Sequence, residues 1–130
     1  MRGFLSVLVG VAVTVGVVVL AEAIGHALFP VPAPDTADPT AMRRYVADLP
    51  AGAKLAVATG WFVGPLVGAS TALGVSRWRP AAWIVGLVAV LGGVANLILL
   101  PHPLWMQAAA LLLPLLAVAT VQRLVTAAQA

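Results

Sequence analysis

The feature that most constrains this chain is a set of four apolar stretches. Each approaches the ~20 residues that a bilayer-crossing helix needs. They run from about 3 to 29, 54 to 75, 81 to 100 and 103 to 122. Phe29-Pro30-Val31-Pro32-Ala33-Pro34 ends the first, because each proline lacks an N–H and disfavours helix in the residue before it. Arg77-Trp78-Arg79-Pro80 parts the second from the third, and Pro101-His102-Pro103 the third from the fourth. The pattern predicts an all-α membrane protein: a single integral membrane domain built as a four-transmembrane-helix bundle, with a loop over 30–53.

Composition closes the other routes. The chain is 62% hydrophobic and 8% charged, against about 25% charged in soluble domains. It has too little polar surface to cover a water-facing globule. This excludes an ordinary soluble enzyme and a disordered chain. Seven Lys and Arg dispersed over the chain make no basic patch, so no nucleic-acid partner is expected despite the net charge of +3. The expected partner is the lipid bilayer. With no cysteine, disulfides and thiolate metal sites are excluded.

Arg2, the apolar run and Ala21-Glu22-Ala23 imitate a signal peptide with its cleavage site. Retention of this span is expected, because the run from Phe4 to Leu20 exceeds a typical h-region of ~7–15 residues and apolar character resumes at Ile24. Basic residues near span ends set orientation. Arg2, Arg77, Arg79 and Arg123 fall on one side; Arg43, Arg44 and Lys54 fall on the other, offset by Asp35, Asp38 and Asp48. The expectation is a bacterial inner-membrane protein with both termini cytoplasmic and the first loop outside. Within that loop, Asp38 and Pro39 form a helix start. Met42, Tyr45, Val46 and Leu49 share one face of the segment 39–49, which predicts a short amphipathic interfacial helix ended by Pro50.

Helices in lipid gain little from hydrophobicity and associate through small residues. Gly60, Gly64, Gly68 and Ala72 recur at every fourth position of the second span. Ala82, Gly86, Ala89 and Gly93 form a stripe on the third. Both faces should meet a neighbouring helix closely, within the chain, in a homo-oligomer or in a membrane partner. Pro65 and Pro114 lie inside spans and should kink them.

Glu22 is the one ionisable residue deep within a span, a costly position that marks a candidate site. His26 follows one turn later on the same face, so the pair can couple a carboxyl group to an imidazole. His102 sits between two prolines, with Pro103 suited to the first position of the last span. An imidazole there is able to act as a base or a ligand. Topology sends Glu22, His26, Trp61, Asn96, His102 and Trp105 to one half of the bundle.

Three functions follow from that cluster. Glu22, His26 and His102 can serve as acid/base groups on a lipophilic small molecule bound beside Trp61, Asn96 and Trp105. A non-enzymatic accessory subunit can use the same cluster to fix helix packing or hold a partner, with Trp105 as an interface anchor. His26, His102 and Glu22 can also form a metal or haem site, although no dense ligand motif such as H-E-x-x-H is present. No phosphate-binding loop occurs.

Overall fold

Each apolar stretch becomes one helix in the computed structural model, which describes residues 1–35 and 37–129. Thr36, in the first loop, lies outside the described residues. The helices are α1 (Arg2–Leu28), α2 (Pro39–Asp48), α3 (Ala51–Ser76), α4 (Arg79–Leu99) and α5 (Leu104–Ala128). All but α2 are long and apolar enough to cross a membrane, which makes this a multi-pass membrane protein with a four-helix bundle. The turn at Arg77, the start of α1 and the end of α5 lie at one end of the bundle, called here the arginine end. Trp78 packs on Gly3 there, and Arg79 reaches Thr126. The Pro101–Pro103 turn marks the other, histidine end.

Most boundaries agree with the hydropathy pattern, and the differences have local causes. α3 begins at Ala51 rather than Lys54, because the Phe29 ring covers Gly52 and holds the first turn in place. α5 continues to Ala128 instead of stopping near Gln122. Arg79 ties its end down: Nε donates to Gln122 Oε1 at 3.0 Å, and Gln122 Nε2 donates back to Arg79 O at 2.9 Å. Pro103 is the N-cap of α5 and Leu104 its first residue, so His102 stands one position outside the cap. The loop helix has the expected start, with Asp38 Oδ1 accepting from Thr40 N at 2.8 Å. Its apolar residue Val46 is buried, while Arg43, Arg44 and Asp48 are exposed.

α3 is the hub: α1, α4 and α5 all pack on it, whereas α1 and α5 do not pack on each other. The glycine stripe of α3 faces α1 within the same chain. A methyl group added at Gly64 would lie 2.8 Å from Val18 Cγ2 and 3.0 Å from Thr14 O, and one at Gly60 would lie 2.9 Å from Ala21 Cβ. At Gly68 the methyl would strike Thr14 and the Gly10 carbonyl. Gly10 reciprocates, since its own added methyl would lie 2.7 Å from Gly68 O. The backbones thus touch directly, with the carbonyl of each glycine beside the other's α-carbon, a geometry suited to weak Cα–H···O contacts. On α4, Gly86 meets Val118 and Gly93 meets Ala110, so this stripe serves α5. Ala89 turns away from α5 into a cleft beside α1.

The core at the arginine end joins Ala69, Ala72 and Leu73 to Ala81, Ala82 and Val85 of α4 and to Val118 and Val121 of α5. A smaller cluster of Trp61, Met106 and Ala110 fills the histidine end. Trp78 and Trp83 are exposed near the first end and Trp105 near the second, the levels at which indoles favour a membrane interface. Arg77 closes α3 in the left-handed region, with φ of 54°.

Methyl groups at the seam should therefore be costly. Gly68→Ala is expected to lose at least ~2 kcal/mol by overpacking. Gly16→Ala, where nothing lies within 4 Å, should be neutral or stabilising. Reversible denaturation in mixed micelles checks the contrast. Arg77→Gly relieves the positive φ and should raise stability by about 0.5–1 kcal/mol in the same assay.

Candidate functional site

α1 and α4 approach each other where Gly10 meets Val85. Toward the histidine end they are separated by a cleft of about 330 Å³. That volume falls within the range of small-molecule sites. Val15, Val19, Val88 and Gly92 flank it and are exposed, so it opens sideways, toward the hydrocarbon of a surrounding bilayer. α3 and α5 make the floor with Trp61, Pro65, Ala110 and Pro114. Along α1 the lining runs from Val11 to Glu22, about 16 Å at the helical rise.

Four polar side chains border this apolar space. Glu22 and Asn96 line it toward the histidine end, and Trp61 is 6% exposed on the floor. Among the described residues, none of these three side chains makes a hydrogen bond, and none of their polar atoms is sealed from contact. Polar groups removed from water are normally paired. Here a carboxyl, an amide and an indole N–H stand ready for a partner from outside the chain. Thr14 is the fourth, but its hydroxyl donates to Gly10 O at 2.9 Å.

The in-span prolines also contribute to the floor. Pro65 and Pro114 cannot donate, so the carbonyls of Trp61 and Ala110, four residues earlier, lack their helical partners. Ala110 O lies against Gly93. All of these residues line the same cleft. From sequence the two in-span prolines predict only kinks; their position in spans two and four is the signal that could have found the floor of the cleft. Gly92, the exposed glycine on its rim, had no such signal.

The histidines do not join Glu22 in the cleft. His26 Nδ1 donates to the backbone carbonyl of Glu22 at 2.9 Å, not to the carboxylate. Its Nε2 is left to accept from the Tyr45 hydroxyl, at a long 3.4 Å. His26 is exposed and borders a recess of about 30 Å³ beneath α2, which Glu22 also borders from its inner side. That recess has room for water between the carboxyl and the membrane surface. His102 donates through Nδ1 to Leu100 O at 2.9 Å, and its ring packs on Trp61 with centroids 5.8 Å apart. Trp105 is 46% exposed and lies outside the cleft. Among the described residues, no three metal-ligating side chains gather, so Glu22, His26 and His102 are not brought into one ligand set.

Comparison with known proteins finds no matching family, no matching curated protein and no matching solved structure.

α2 lies over this end of the bundle on few attachments: the Tyr45–His26 bond, buried Val46, and Lys54 Nζ donating to Ala47 O at 2.9 Å. Tyr45→Phe and Lys54→Met each remove one. Each should speed amide hydrogen exchange in 39–48 several-fold while leaving α3 unchanged beyond its first turn, as read by mass spectrometry.

Proposed function

We propose that this protein binds a lipophilic molecule from the bilayer in the cleft between α1 and α4, with Glu22 receiving its polar or cationic head. The observation that carries this reading is the juxtaposition of Glu22, Asn96 and Trp61, whose side chains make no hydrogen bond among the described residues, around one apolar, lipid-facing space. An isolated carboxyl at this depth is costly unless something offsets it. A head group that donates hydrogen bonds or carries positive charge does so, and the indole face of Trp61 adds attraction for a cation.

Acid/base chemistry in this cleft rests on Glu22, since neither histidine lines it. Binding is accordingly better supported than turnover. The accessory-subunit reading, with the cluster as packing glue, has less support. The Glu22 carboxyl bonds to no other helix among the described residues, and close packing is already supplied by glycine seams. The proposal also places the arginine end in the cytoplasm of a bacterial inner membrane. Four arginines without an acidic residue at that end support this orientation.

The test pairs two variants with one probe, a bromine-labelled alkylammonium that quenches tryptophan fluorescence. Glu22→Gln keeps the shape and removes the charge; it should weaken binding about 10- to 100-fold, the value of one charge-assisted hydrogen bond. Gly92→Phe fills the cleft from a position with nothing within 4 Å and should abolish saturable quenching without unfolding. Wild-type affinity in both variants would remove the cleft as the site. An uncharged bromoalkane bound as tightly as the ammonium would remove the role of Glu22.

A further inference from the structure

The arginine end carries a second feature, independent of the cleft. Arg2, Arg77, Arg79 and Arg123 lie there, while all four acidic residues, Glu22, Asp35, Asp38 and Asp48, belong to the other half. No Asp or Glu therefore offsets the arginines at this end. Between the ends of α3 and α5 runs a groove of about 380 Å³. Leu73 and Val121 are buried at its base, and Gly74 and Leu124 are exposed along its sides. Arg77 and Arg79 stand at its rim, with Gln129 across from them.

The two arginines are held differently. Arg79 is fixed by Gln122 and Thr126 through Nε and Nη2, which leaves Nη1 unengaged among the described residues. Arg77 makes no side-chain hydrogen bond among the described residues, and the left-handed backbone at this position turns the chain sharply from α3 into α4. The rim thus pairs one preoriented guanidinium with one guanidinium free of hydrogen bonds among the described residues, above a slot lined by Leu73, Gly74, Val121, Leu124 and Val125, with Ser70 beside them donating its hydroxyl to Leu66 O. Guanidinium groups match phosphate oxygens in geometry and charge. The leucine and valine side chains below them suit an acyl chain rather than a soluble anion.

We propose that this groove is a binding site for an anionic phospholipid, with its phosphate at Arg77 and Arg79 and an acyl chain along Leu73, Gly74 and Leu124. Charge complementarity selects the headgroup. The groove distinguishes the site from diffuse attraction of a basic surface to a negative membrane.

The full chain is purified and equilibrated with an equimolar mixture of phosphatidylglycerol and phosphatidylcholine bearing identical chains. Native mass spectrometry then reads the lipid retained. Wild-type protein should retain phosphatidylglycerol in preference. Arg77→Gly, which eases the backbone, should reduce that retention about fivefold. Gly74→Phe introduces a ring where an added Cβ meets nothing within 4 Å, so the fold persists, and it should displace the lipid by filling the slot. Arg43→Gln, at the opposite end, should leave retention unchanged. Retention unaffected by Gly74→Phe would overturn the groove and leave only surface attraction. Equal retention of the two lipids, or full displacement by soluble glycerol phosphate, would overturn the phospholipid assignment.

Discussion

The architecture depends on the direct backbone contact between α1 and α3. Gly10 and Gly68 bring the two chains to where no side chain fits between them, and Gly64 and Gly60 extend the seam past Thr14, Val18 and Ala21. In lipid this closeness matters more than apolar surface, because a leucine leaving hydrocarbon for a helix interface gains little. The seam commits one face of α1 wholly to α3. α4 takes its own close contact with α5, through Gly86 and Gly93. With each helix already committed elsewhere, α1 and α4 touch near Gly10 and Val85 and then separate. The cleft is the consequence of two tight seams that diverge.

That origin explains why polar groups survive in its walls. A side chain inside either seam would have to be small or paired; one facing the gap need be neither. Thr14, at the seam, is buried and bonded to its own helix. Glu22, on the same helix two turns further, faces the gap and has no partner among the described residues. Distance from the seam therefore separates a structural hydroxyl from a carboxyl available to a ligand.

Much of the bundle was legible in the sequence because it follows from local rules. Hydropathy located the four spans, prolines located their ends, and Asp38-Pro39 located the loop helix. The glycine spacing identified the faces that pack, though not that α1 is the partner of the α3 stripe, which depends on how the helices are arranged. The site was less legible. Glu22, Asn96 and Trp61 do converge, since all lie at similar depth. Spacing of i to i+4 suggested that His26 would meet the Glu22 side chain, yet the ring takes the backbone carbonyl on the same turn. Depth alone grouped Trp105 with the others, although it faces away from the cleft. Depth along a span can be read from sequence; azimuth around the helix can be read only when a stripe of small residues marks it.

A cleft open to the bilayer imposes its own logic of selectivity. In the absence of a ligand, lipid chains can fill it, so a ligand's apolar body exchanges one hydrocarbon contact for another at little net gain. Added chain length then contributes shape, not affinity. The free energy that separates a ligand from bulk lipid must come from groups that lipid tails cannot satisfy: the Glu22 carboxyl, the Asn96 amide, the Trp61 indole and the carbonyl oxygens released by Pro65 and Pro114. A single hydrogen bond to a charged group contributes about 1.5–3 kcal/mol, which is enough for a ten- to hundredfold preference over lipid. Recognition in such a site is concentrated at the head group, and Glu22, the carboxyl deep within the spans, stands where that head group would lie.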